Sequence, residues 1–227
     1  MIKILISALL PSLIAAAACR GAAPADGGRC DFDSARMIEE KCHFHWVFRV
    51  PHTRFFIVDE PTATDRRALA VVAKSSSGIM IFKVEGMDLK KTPYMRWRWR
   101  IVRRMNLPEG AAEPDDQACA VYLSDGTMLN QKCVGYRWEH FVPVGTRRMI
   151  NYACSKVDVL CLRNRETPVG EWVEEECNVF EDFKRAFGKE PSKDAVLAIG
   201  ANSQYSKSDT RVEIDYIEFR SSPATGK

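Results

Sequence analysis

Catalytic signatures are missing from this sequence. It contains no G-x-S-x-G nucleophile elbow, no phosphate-binding P-loop and no H-E-x-x-H zinc motif. Its 4 histidines form no clear arrangement with a cysteine. Zinc-binding CxxC pairs are missing among its 8 cysteines. There is no internal repeat, and after Cys30 no second linker, so the 227 residues read as one domain over about 30–220 with a frayed tail at 221–227. Net charge is only +3, too little to mark a nucleic-acid partner.

Long hydrophobic runs are also missing. The one apolar stretch, Ile4 to Ala18, follows Lys3, contains Pro11 and gives way to small residues. That is the pattern of an export signal rather than of a membrane span. Two cleavage points compete. Ala16-Ala17-Ala18 before Cys19 resembles a lipobox, with Ala16 where leucine is usual; Ala23-Pro24-Ala25 before Asp26 fits small-x-small cleavage. The first predicts lipidation of Cys19 and an outer-membrane-anchored protein, and the second a periplasmic protein free of the membrane. The signal is then 1–18 or 1–25, with 19–29 as a flexible tether rich in Gly, Ala and Pro. Cutting after Ala25 removes Lys3 and Arg20 and leaves the remaining chain close to charge balance.

Export makes disulfides an expectation. In "CAVYLSDGTMLNQKC", Cys119 and Cys133 lie symmetrically about Gly126. A hairpin turning at Asp125-Gly126 brings them face to face at bridging distance. Cys154 and Cys161 close a shorter loop. Cys30, Cys42 and Cys177 are left without a specified pairing.

Short runs of β-branched and aromatic residues between turn signals fill most of the domain. Examples are 54–59, 68–74, 79–85, 93–102, 117–125, 135–141, 157–163, 194–201 and 211–219. The expectation is all-β: a jelly-roll β-sandwich. One segment breaks the rhythm. Over about 178–187, Val179, Phe180, Phe183, Ala186 and Phe187 fall at helical spacing. Asn178 suits the N-cap, with Glu181 three residues on, and Gly188 suits the left-handed residue past the last turn. The three phenylalanines predict a short α-helix plugging one side of the sandwich.

"LKKTPYMRWRWR", "DDQACAVYL", "MINYA", "NVFEDFKRAFGKEP" and "VEIDYIEF" occur in that order. Together they resemble the bacterial family of exported proteins numbered 3047 among the domains of unknown function, over about Phe32 to Phe219. The resemblance implies export and a jelly-roll sandwich similar to carbohydrate-binding modules. It implies no reaction. Where members of that family often carry an acidic loop, this chain has "ANSQYSKSD", with Asp209 its only acid.

Several residue groups are candidate sites. Asp115 and Asp116 are adjacent carboxylates ahead of a strand, able to meet a ligand or cation if a loop or bulge turns both the same way; the alternative is turn capping. Asp31, Asp33, Glu213 and Asp215 sit near the two ends of the domain, where first and last strands of a jelly roll adjoin. Asp33 and Asp215 are the expected ligands of a structural calcium, set against ordinary edge charges. His43 and His45 share a strand face but lack a third metal ligand. Trp97, Trp99, Trp138 and Trp172 offer flat faces for sugars, or else core. In "WRWR", Arg96, Arg98 and Arg100 share the face opposite the tryptophans. They form either an outer row neutralised by acids such as Glu139 or a ligand-binding row for anionic groups.

The leading expectation is an exported envelope protein acting as a non-catalytic binding module for a glycan or other polar ligand. Two alternatives stay open: a glycan hydrolase with paired carboxylates, among them Glu174, Glu175 and Glu176, and an envelope structural or assembly protein. The expected partners are a glycan or anionic ligand and another envelope protein, with the membrane reached only through a lipid anchor.

Overall fold

The computed structural model describes residues 18–19, 28–32, 51–84, 87–110, 115–127, 129–152 and 154–224. Asp33, His43, His45 and Cys42 lie outside them. Thirteen strands, β1 (Ala18–Cys19), β2 (Arg29–Cys30), β3 (Arg54–Asp59), β4 (Arg67–Lys74), β5 (Ser77–Val84), β6 (Tyr94–Arg103), β7 (Gln117–Thr127), β8 (Asn130–Trp138), β9 (Arg147–Asn151), β10 (Ser155–Arg163), β11 (Val173–Asn178), β12 (Val196–Asn202) and β13 (Asp209–Arg220), and one helix, α1 (Val179–Phe187), make up the described chain. They form a jelly-roll β-sandwich. One sheet runs β1-β5-β12-β7-β8-β10-β9; the other runs β11-β6-β13-β4-β3, with β2 also on β13. Among the steps at which the chain crosses between sheets are those from β4 to β5, β6 to β7 and β12 to β13. The first and third crossings are laced together: Ser75 N donates to Ser208 O at 2.9 Å and Ser203 N to Ser76 O at 2.8 Å.

Alternation along β6 sets the core. Met95, Trp97, Trp99 and Ile101 are all buried between the sheets, while the intervening arginines take the opposite face. From the facing sheet, Tyr136 meets Trp97 and Trp138 meets Trp99, each at 5.3 Å between ring centroids. A buried aromatic removes about 200 Å² from water, worth roughly 5 kcal/mol as an upper bound. Trp138 is therefore core and not a sugar platform: it shares the inward parity of Val134 and Tyr136, and its Nε1 donates to Asn164 O.

The helix matches its sequence pattern. Asn178 accepts from Glu181 N at 3.0 Å, and Gly188 adopts φ 65°, donating to Lys184 O. Val179 and Phe183 are fully buried, and the helix packs on β6 and β11 of one sheet and β8 of the other.

The expected hairpin disulfide does not form. Cys119 lies opposite Trp138 and Cys133 opposite Ser124, because β7 and β8 turn at Thr127–Asn130. Cys119 then faces the core and Cys133 the outside. Gly126 has φ 106°, but within the strand, where a Cβ would meet Asn130 O at 2.5 Å. Its backbone serves close approach instead of the turn. Cys154 and Cys161 are joined by extended chain, roughly 23 Å at about 3.3 Å per residue, far beyond disulfide reach. No disulfide joins cysteines among the described residues.

Candidate ligand-binding site

The two sheets present different outer faces. On the six-stranded sheet, the antiparallel register sets Arg100 against Glu213 and Arg96 against Glu218 on β13, and Arg98 against Glu174 on β11. Arg98 reaches Asp215 at 2.8 Å, Arg100 reaches Glu213 at 2.6 Å and Glu60, and Arg96 reaches Glu174. Arg29 and Arg220 meet Glu218 at 2.7 and 2.6 Å, and Arg211 meets Glu213. Buried Asp215, Glu213 and Glu218 need this pairing, since a lone buried charge is costly. Trp172 caps the row, its ring 4.9 Å from Arg98 and 4.6 Å from Arg100, with Nε1 donating to Thr62 Oγ1 at 2.8 Å. Burial works against charge on Glu174, but donors from Tyr216 and Arg96 outweigh it and hold its carboxyl below the usual range.

The "WRWR" arginines thus form a neutralised outer row, answered by β11, β13 and Glu60 and not by Glu139. Asp215 accepts from Thr64 N at 3.0 Å and Thr64 Oγ1 at 2.9 Å as well as from Arg98. Protein donors thereby occupy both its oxygens. Among the described residues no three His, Cys, Asp or Glu side chains are placed to hold a metal ion.

The seven-stranded sheet is built otherwise. Its outer face carries small and apolar residues, Ala120, Cys133, Val157, Val159 and Ala198, flanked by Ile79, Ile81 and Ile150. Tyr122 lies flat across Gly135, where a Cβ would come within 2.5 Å of its ring. Glycine at 135 is what lets the ring lie there.

A polar cluster joins this apolar floor. Arg137, 2% exposed, extends from β8 and donates to Asp115 Oδ1 at 2.9 Å, with Tyr152 Oη 3.4 Å and Glu139 Oε1 3.6 Å away. Tyr152, in the turn after β9, donates to Asp115 Oδ2 at 2.6 Å. Arg148 on β9 clamps Glu139 with both terminal nitrogens, one of them at 2.9 Å. Gln117 opens β7 and donates Nε2 to Tyr122 Oη at 3.3 Å; Asn202 closes β12 and donates to the Asp115 carbonyl at 2.8 Å. Burial disfavours charge on Arg137, but its electrostatic partners, of which the Asp115 carboxylate also accepts a hydrogen bond, more than offset it and hold the guanidinium well above its ordinary value. Burial also raises the Tyr122 and Tyr152 hydroxyls, so both stay protonated.

Two polar atoms here are left over. Arg137 Nε and Gln117 Oε1 are buried without a hydrogen-bond partner among the described residues. Most buried polar groups are paired, so an orphan donor and an orphan acceptor in one cluster call for an explanation. Tyr152 stands beside them, 41% exposed.

The adjacent carboxylates Asp115 and Asp116 part company. Asp115 turns into the cluster. Asp116 is buried and accepts from Tyr205 N at 3.3 Å and Ser206 N at 2.7 Å, pinning the loop between β12 and β13. Burial raises its carboxyl, against those donors. Sequence reasoning named Asp115 but missed Gln117, Tyr122, Arg137, Tyr152 and Asn202. The available signal was the parity of "CVGYRW", which puts a lone arginine on the same face as Gly135.

The family described as Protein of unknown function (DUF3047) matches residues 44–218. The chain belongs to this family. No curated protein matches the sequence. Among solved structures, the family 11 carbohydrate-binding module from Clostridium thermocellum, in complex with a β-1,3-1,4-mixed-linked tetrasaccharide, is similar at 11% identity and TM-score 0.44, covering 86% of this chain and 96% of that one. The family 11 module of a cellulosomal cellulase of the same organism is similar at 10% identity and TM-score 0.40, covering 80% and 86%. A conserved carbohydrate esterase from Shiga toxin-encoding bacteriophage phi24B is similar at 11% identity and TM-score 0.30, covering 75% and 88%. At these values the likenesses carry no functional inference.

Proposed function

We propose that this DUF3047 protein is a non-catalytic binding module whose site is the outer face of the seven-stranded sheet, around Asp115, Arg137 and Tyr152, and that its ligand is a glycan. The observation that carries the reading is the incomplete polar cluster: Arg137, almost wholly buried, keeps an unpartnered Nε beside an exposed tyrosine. Sugars present apolar ring faces rimmed by hydroxyls. Tyr152 supplies an aromatic surface, and Asp115, with its side chain 40% exposed, supplies acceptors. A few fixed polar groups beside apolar surface are the usual make-up of a ligand site.

Binding is favoured over hydrolysis because of how the carboxylates are held. Asp115 and Glu139 both lie within 3.6 Å of the same Arg137 nitrogen, and the Glu139 carboxylate is 1% exposed and clamped by Arg148. A pair fixed in this way does not face across an open cleft, as acid and base would.

Affinity electrophoresis against a panel of polysaccharides tests the proposal. Retardation by at least one, with no release of reducing ends, is expected. Free migration on every polysaccharide, together with capture of a protein partner, would overturn it in favour of an assembly role. The Ile4–Ala18 run and Cys19 support placing this module in the bacterial envelope, lipid-anchored or periplasmic. Mass spectrometry of the mature N-terminus decides between a diacylated Cys19 and an Asp26 start.

A further inference from the structure

We infer that Tyr205 is a second aromatic subsite of the same site, and that the glycan is a chain long enough to lie on Tyr152 and Tyr205 together. This rests on the glycan-binding reading above. Among the described tyrosines only Tyr152 and Tyr205 are exposed, at 41% and 57%. No hydrogen bond or ring contact among the described residues engages the Tyr205 side chain. The backbone beneath it is nevertheless fixed. Buried Asp116 accepts from Tyr205 N and Ser206 N. Ser206 Oγ donates to Ser203 O at 3.3 Å, and Asn106 N donates to Ser208 Oγ at 3.0 Å. Lys207 is held at φ 55°, a conformation uncommon for a residue with a Cβ. An exposed tyrosine on a fixed backbone is a pre-organised contact: it offers a large amphipathic surface and loses little entropy on binding.

The Tyr205 loop and Tyr152 are tied to one pair of neighbouring residues. Asp115 accepts from Tyr152 Oη at 2.6 Å, and Asp116 accepts from Tyr205 N at 3.3 Å. Asn202 adds a second bridge: its Nδ2 donates to Asp115 O at 2.8 Å and its Oδ1 accepts from Gln204 N at 3.2 Å. A carbonyl only accepts and a backbone N–H only donates, so the Asn202 amide has one orientation there. At the junction stands the Asp115 carboxylate, 40% exposed. A sugar chain suits this arrangement, with repeated ring faces for the aromatics and hydroxyls for the carboxylate. Once one unit rests on Tyr152, contact of a later unit with Tyr205 is intramolecular, and affinity rises without a second association cost.

Isothermal titration of the purified protein tests this, with partial hydrolysates of glucan, xylan, mannan, pectin and alginate sized from disaccharide to hexasaccharide. For a chain that binds, affinity is expected to rise about tenfold or more from the shortest to the longest member. Tyr205→Ala should remove that rise, weakening the longest member about tenfold while leaving the shortest within about twofold, with the melting curve retained. Tyr205→Phe, which keeps the ring, should restore the rise. Affinity independent of length, or a Tyr205→Ala variant that binds every length as the unaltered protein does, overturns the inference and leaves the glycan reading standing. Binding of no fraction by the unaltered protein overturns both. Should Tyr205→Ala fail to fold, the length series on the unaltered protein still decides.

Discussion

The two outer faces of the sandwich each carry arginines beside carboxylates and aromatics, yet they differ in completeness. On the six-stranded sheet every arginine of "WRWR" meets an acid, Trp172 lies over two of them, and among the described residues none of their buried polar atoms lacks a partner. On the seven-stranded sheet Arg137 is more deeply buried and better surrounded, and it still keeps an unpartnered Nε, as Gln117 keeps an unpartnered Oε1. A closed lattice stabilises a fold and asks nothing of solvent. An unfinished one gains by acquiring a partner. Charge and aromaticity, the features that first draw attention to "YMRWRWR", therefore do not set the two outer faces apart; the hydrogen-bond accounting of their arginines does.

The comparison can be broken most forcefully within the closed lattice. Asp215→Ala strands Arg98 and both Thr64 donors. It should lower stability by about 3 kcal/mol, the lower end for a broken buried pair because Arg98 keeps a 25% exposed side chain, read by urea denaturation with glycan retention unchanged. Gly135→Ala drives a Cβ into the Tyr122 ring from 2.5 Å. Overpacking of that kind costs about 1–3 kcal/mol, and here retention should fall along with the melting temperature. Asn178→Ala removes the helix N-cap, for about 1 kcal/mol, with retention kept.

The smallest effect is electrostatic. Donors from Tyr216 and Arg96 at Glu174, and from Thr62 and Arg100 at Glu60, overcome burial and lower both carboxyls in the folded state. Their stabilisation is therefore present above the unfolded value of about 4.3 and is lost as pH falls through the depressed folded values. Asp116, raised by burial, works in the opposite sense. Thermal melts from pH 6 to pH 3 should show a falling midpoint, and Glu174→Gln should flatten part of that fall.

The sandwich was legible in the sequence because strand parity and helix caps are local. Met95, Trp97, Trp99 and Ile101 declare the inner face of β6 by alternation alone, and Asn178, Glu181 and Gly188 mark the helix ends. The β7–β8 register was not legible. Gly126 looks like a turn residue but is required inside the strand by the Asn130 carbonyl, and the shift moves Cys119 and Cys133 to opposite faces. The site was legible only at Asp115. Its other members come from β7, β8, the turn after β9 and the end of β12, and nothing in their local sequence tells that Gln117, Arg137, Tyr152 and Asn202 converge. Their meeting is fixed by strand order, which pattern alone does not specify.

The central claim is that the unfinished face, and not the closed one, binds the ligand. It is tested most directly by one titration series with the glycan that the unaltered protein retains, using one aromatic from each face. Tyr152→Ala should reduce affinity at least tenfold, and Trp172→Ala should leave it within about twofold. The reverse ordering, with binding lost on removing Trp172 and kept on removing Tyr152, would contradict it.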